Sequence, residues 1–319
     1  MPHRLRRLRR FRFNLPQRIA AALLVLFLAQ SLWLISRQTV CSQLWLRLPS
    51  LAVGLLLGGA LWWVTRRLYG NLGGYTALAL YCFSPAILRA CADPGPELLA
   101  ALGVYGGVYA SVGVAHAMQG PRRKWRPRIA LLTAIFAVAA AAHLAALAAG
   151  LLLGLALMLW IAEGRRLQAA FVVLASAAGA LLLVCVGHGF SLEASSYLFR
   201  NSVEDMGPSL DLLRFFSAFP NAGLTVASVA ALLLYACLRR SRYFGNTTPL
   251  LCALVLFLLA MTGSPGVAGL WALPFLLTFI AGVFADAYES PRSKLAIAAG
   301  AAIVLLQVVF CLLSLPGLL

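Results

Sequence analysis

The stretch Arg89-Ala-Cys-Ala-Asp93-Pro-Gly-Pro-Glu97 gathers an arginine and two carboxylates within nine residues. Such a set can do two kinds of chemistry. Asp93 and Glu97 can serve as catalytic acid and base or hold a divalent cation through oxygen. Arg89 can bind a phosphate through paired N–H donors. The same spacing also has a purely structural reading: Asp-Pro-Gly-Pro is a strong turn, and Glu97 is a favourable first-turn charge for a following helix.

The remaining candidates are more scattered. His143 sits in an alanine-rich background and reads first as a packed polar residue, second as an accessory functional group. His188 and Glu193 are close enough in sequence to form an acid–base pair on a loop. Glu204-Asp205 reads as a solvated acidic turn, and His116 as an interfacial residue. The seven cysteines form no CxxC pair and no His-paired zinc spacing. Most lie in apolar runs, where cysteine behaves as a small hydrophobe.

These residues must be positioned by an unusual chain. Of 319 residues, 62% are hydrophobic and 11% charged, with a mean hydropathy of +0.90. A soluble domain is nearer 45–50% apolar and about 25% charged, so a soluble enzyme, a disordered chain and a fibrous repeat are excluded. Runs of about 17–25 apolar residues mark membrane spans. They fall at 19–35, 50–65, 74–88 (with Pro85 kinking its end), 97–118, 167–187, 221–238, 249–262, 270–284 and 295–315. The apolar stretch 129–162 has basic residues at both ends, so it reads as a hairpin of two spans with its tip at 141–150. The expected fold is an all-α polytopic membrane bundle of about eleven helices, N-terminus inside and C-terminus outside. Residues 1–18 form a basic cytoplasmic head before an uncleaved first span, and residues 19–319 form a single transmembrane domain.

The net charge of +17 supports this orientation. In a soluble protein it would suggest nucleic acid as a partner; here it sorts by segment. The inner segments hold 21 of the 26 Lys and Arg, and the outer ones keep Arg37, Arg47, Arg89, Arg200 and Arg214. That is the positive-inside bias. Nucleic acid is therefore not an expected partner, whereas membrane lipids are, with the basic run 122–128 suited to anionic lipid. The outer loop 188–220 mixes charges with Tyr197, Phe199, Phe215 and Phe216, a pattern suited to the membrane surface. The spans show no GxxxG-rich repeat, arginine ladder or internal duplication. Nearly all ionisable groups fall outside them, which weakens a channel or transporter reading.

Over residues 45–118 the chain resembles a known family. Leu46-Arg-Leu-Pro-Ser50, Arg66-Arg67-Leu-Tyr-Gly70 and Ala77-Leu-Ala-Leu-Tyr-Cys-Phe-Ser-Pro85 are similar to motifs of the GT-C membrane glycosyltransferases. The similar branch includes bacterial lipopolysaccharide glycosyltransferases and protein mannosyltransferases. The resemblance implies transfer of a sugar from a polyprenyl-phosphate donor to a lipid or protein acceptor at the outer face of a bacterial plasma membrane. Arg89, Asp93 and Glu97 occupy the family's second-loop positions: Arg89 would contact the donor phosphate, and Asp93 and Glu97 would be the catalytic carboxylates, alone or with a divalent cation. His143, His188 and Glu193 would be accessory. The chain departs from the family in its first outer loop, which is short and holds no Asp or Glu, where the family carries its catalytic acid. Ser36, Gln38 and Gln43 cannot replace that base. A non-catalytic relative, binding lipid or assembling into a larger complex, is the alternative expectation.

Overall fold

The computed structural model describes residues 14–38, 44–93, 95–120, 125–191, 216, 221–237, 245–262, 265–289 and 293–318. Every regular element among them is helical. The order is α1 Leu15–Gln38, α2 Leu44–Cys82, α3 Pro85–Ala92, α4 Glu97–Met118, α5 Trp125–Ala142, α6 Leu144–Ile161, α7 Arg166–Gly187, α8 Ala222–Cys237, α9 Thr247–Thr262, α10 Pro265–Tyr288 and α11 Ser293–Ser314. A short 3-10 turn, Leu315–Leu318, follows. Eight of these helices are long and apolar enough to cross a membrane: α1, α2, α4 to α7, α10 and α11. The apolar helices α8 and α9 are shorter, 16 residues each.

α2 is not one rod. Gly70 interrupts it at φ 80°, ψ −173°, a region open essentially to glycine. The Tyr81 hydroxyl donates to the Gly54 carbonyl at 2.6 Å, although a straight helix would hold residues 27 apart roughly 40 Å from one another. Nearer the turn, Gly73 faces Tyr69 and Gly74 faces Arg66. Two antiparallel arms therefore meet at Gly70, between the segments expected at 50–65 and 74–88. The second arm departs from expectation at its far end. It stops at Cys82, and a separate helix begins at Pro85 rather than continuing through a kink to Leu88. Proline has no N–H for the preceding turn but is well suited to a first helical position. Cys91 of α3 returns to the side of Gly54, so α3 packs against the first arm of α2.

The stretch 129–162 divides as its flanking charges require. His143, in extended conformation (φ −165°, ψ 128°), separates α5 from α6. The tip is His143 itself; Gly150 is buried against α4. Gly103 and Gly107 of α4 meet Ala139 and Phe136 of α5, so those helices are antiparallel. Gly150 and Gly154 of α6 meet Val104 and Ser111 of α4, so that pair runs parallel.

These contacts show where the small residues of the spans act. Gly54/Gly58, Gly103/Gly107 and Gly150/Gly154 are three Gly-x-x-x-Gly pairs, and each lies at a helix crossing. They do not form a repeat along the chain, in keeping with the sequence reading. Residues four apart share a helix face, and a pair of glycines there lets a neighbouring helix approach closely.

α10 is the axis of the bundle: every residue from Leu270 to Ala287 is buried. Trp271 meets the His143 ring edge-on at 5.6 Å, and Phe275 stacks against Tyr109 and meets Tyr105 edge-on. The Thr278 and Tyr105 hydroxyls are 3.0 Å apart, and Gly282 rests against Tyr69. α10 thus runs parallel to α4, from an end marked by His143 to an end marked by Gly70. Apolar side chains on the outer helices point away from this axis, among them Leu182 and Leu183 of α7, Leu258 of α9 and Leu313 of α11. In water this surface would be strongly unfavourable; in lipid it is matched.

The helix directions sort the described charges. Arg18, Arg66, Arg67, Arg126, Arg128, Arg165, Arg166 and Lys294 belong to the Gly70 end, and Arg37, Arg47 and Arg89 to the His143 end. Arg66 lies over Trp62 at 5.1 Å, Arg67 over Trp63 at 5.8 Å and Arg165 over Trp125 at 5.9 Å. Trp and Arg together at helix ends are suited to a membrane interface.

Candidate functional site

The His143 end carries most of the residues singled out from the sequence. Arg89 lies in the last turn of α3 and is exposed. Asp93 is the C-terminal cap of the same helix, with its backbone N–H donating to the Arg89 carbonyl at 3.0 Å, and its side chain is exposed. Glu97 opens α4 and is half-buried, its carboxylate folded back over Gly95. No ion pair joins Arg89 to either acid among the described residues. The loop places one guanidinium and two carboxylates together at a helix junction, with Asp93 and Arg89 open to outside groups.

His143 reaches this end by another route. α5 climbs antiparallel to α4 and α6 descends beside it, so the tip between them lies near the start of α4. Its Nδ1 accepts the Ala145 N–H at 3.2 Å and caps α6; its ring meets Trp271. That cap satisfies an otherwise unpaired first-turn donor. His188 caps α7 through its backbone N–H and is exposed. Its expected partner Glu193 lies outside the described residues, as does most of the loop 188–220. Among the described residues no three His, Cys, Asp or Glu side chains gather to hold a metal ion.

One polar pair was not anticipated. Asp286, near the end of α10, is 3% exposed. The Asn246 side-chain amide, just ahead of α9, donates to Asp286 Oδ2 at 2.7 Å. Gly282, one turn before Asp286, leaves room for Asn246 and for the Tyr69 ring. The pair ties the start of α9 to the Gly70 end of α10, far along the bundle from Arg89. Its signal in the sequence is an acid two residues beyond an apolar run; ending that span at Phe284 put Asp286 outside, whereas the helix continues to Tyr288.

Comparison of the chain with models of known protein families, with curated proteins and with solved structures finds no match.

Proposed function

We propose that this chain is an eleven-pass membrane protein of GT-C type that receives a polyprenyl-phosphate-linked sugar at its His143 end. The passes are α1, the two arms of α2 (the second completed by α3), α4 to α11. The convergence of Arg89, Asp93, Glu97 and His143 on one end of the bundle carries this reading. Arg89 is exposed and without a carboxylate partner among the described residues, so it is available to a phosphate. Asp93 is exposed beside it and is the carboxylate best placed to meet an acceptor hydroxyl, with Glu97 as second acid or co-ligand of a divalent cation. The charge bias supports an outward orientation of this end, and the family resemblance supports a bacterial plasma membrane as its setting. Sugar transfer to a lipid or protein acceptor is the reaction this arrangement would serve.

A second reading is favoured by the acid-free first outer loop: a protein of the same build that binds the lipid phosphate without transfer, as a subunit of a larger complex. One experiment separates the two. The purified protein is reconstituted with polyprenyl-phosphate sugars, and donor consumption and thermal shift are measured for wild type, Asp93→Ala and Arg89→Ala. Transfer predicts turnover that Asp93→Ala abolishes. Binding alone predicts a donor-dependent shift lost in Arg89→Ala, with no turnover in any variant. Neither turnover nor shift would overturn both.

A further inference from the structure

The Gly70 end holds a feature that the site above does not use. Two shallow depressions join where α7 leaves its connection to α6. One is lined by Gly164, Arg165, Arg166, Leu167 and Gln168, the other by Trp125, Leu167, Gln168, Phe171 and Val172. Leu167 and Gln168 belong to both, so they form one groove between α5 and α7. Its polarity changes along its length. Arginines 165 and 166 stand at the outer end; Phe171 and Val172 lie five to six residues deeper, roughly 8 Å along the helix. Leu167 and Phe171 are 88% and 73% exposed, so this inner part is a shallow apolar surface open to the side.

The groove's floor is fixed. The Arg165 guanidinium donates to the Met118 carbonyl at the end of α4 and lies over the Trp125 ring. The Trp125 indole N–H in turn donates to the Gly120 carbonyl. Arg128 is held by the Gly113 carbonyl. Arg166, by contrast, is exposed and has no ion-pair partner among the described residues, although Glu163 is close in sequence.

We propose that this groove is a binding site for one anionic phospholipid, its phosphate on Arg166 and Arg165 and the first carbons of an acyl chain along Leu167, Phe171 and Val172. Charge complementarity selects an anionic headgroup. The sequence of cationic, then aromatic, then aliphatic lining matches the order of a phospholipid from headgroup to chain. The occupant comes from the leaflet facing the Gly70 end, opposite to the proposed sugar-donor site, so the inference does not depend on that reading.

The test uses the full-length protein in detergent, with retained lipid measured by native mass spectrometry after incubation with phosphatidylglycerol or phosphatidylcholine. Arg166→Gln is the test variant. Arg67→Gln, a cation at the same end on another helix, is the control. Wild type should retain phosphatidylglycerol in preference to phosphatidylcholine. Arg166→Gln should weaken that retention about fivefold, the effect of one interfacial cation. Arg67→Gln should not change it, and millimolar inorganic phosphate should not displace the lipid. Phe171→Ser should weaken retention with the arginines intact. Equal retention of the two lipids, equal effects of the two arginine variants, or displacement by free phosphate would overturn the proposal.

Discussion

The Gln307 side chain donates its Nε2–H to the Phe83 carbonyl at 2.7 Å, across 224 residues of sequence. Phe83 lies where Pro85 breaks the chain between α2 and α3, and the N–H of Ile87 turns to Ser84 instead of to Phe83. The carbonyl thus has no helical donor, and Gln307, 1% exposed on α11, supplies one. An unpaired carbonyl in this setting costs about 1–3 kcal/mol. Gln307→Met keeps the volume and removes the donor, so it should lower thermal stability by that amount in fluorescence-detected melting. Gln307→Glu should recover part of the loss in acid and little at high pH, because only the protonated carboxyl can donate. A melting curve independent of pH for that variant would mean the bond contributes nothing.

Glycine placement gives a paired test on one helix. A Cβ on Gly103 would lie 2.6 Å from the Ala139 backbone and side chain, whereas one on Gly113 would meet nothing within 4 Å. Gly103→Val therefore forces α4 and α5 apart and should cost about 3 kcal/mol or prevent folding. Gly113→Ala should be neutral or stabilising by up to about 1 kcal/mol. Monodispersity and melting temperature in detergent distinguish the two; similar behaviour would contradict the α4–α5 crossing.

The contrast between those glycines shows what the sequence made legible. Spans and their reversals are written in composition: the arginines around 129–162 demanded a hairpin, and the structure turns at His143. The turn after Arg66-Arg67 was likewise visible, and it falls at Gly70. Tertiary pairing was not. Gln307 and Asp286 sit in or beside apolar runs, and nothing local names Phe83 or Asn246 as their partners. Whether a glycine faces another helix or open space depends on rotation about the helix axis, which a uniformly apolar span does not reveal. The chemistry was legible only as a cluster: Arg89, Asp93 and Glu97 are adjacent in the chain, so any fold keeps them together, but exposure and partners needed the structure.

Gly70 tests the hairpin within α2. Its φ of 80° is strained for any side chain, and nothing nearby would obstruct one. Gly70→Ala should then cost about 1–3 kcal/mol through backbone strain alone. The lesion should be local: limited trypsin digestion should cut faster after Arg66 or Arg67 while the rest of the bundle stays resistant. Wild-type digestion kinetics would show that the arms meet in some other geometry.

Direction is the property on which the proposed site depends. Ala141, just before the His143 tip, and Gly164, between α6 and α7, are both exposed and are separated by the length of α6. That length, 18 residues, is roughly 27 Å of helix, close to the thickness of a bilayer's hydrocarbon core. With the native cysteines replaced, Ala141→Cys and Gly164→Cys should react with a membrane-impermeant maleimide from opposite sides in intact cells or sealed vesicles. The charge bias makes Ala141→Cys the one labelled from outside. Labelling of both from one side would mean that α6 does not cross, and would remove His143 from the face on which Arg89 is proposed to meet its phosphate. Labelling of Gly164→Cys from outside alone would invert the bundle and place Arg89, Asp93 and Glu97 on the cytoplasmic face. The donor would then have to be presented from the inner leaflet, and the outward-facing transferase reading would fail with its residues still in place.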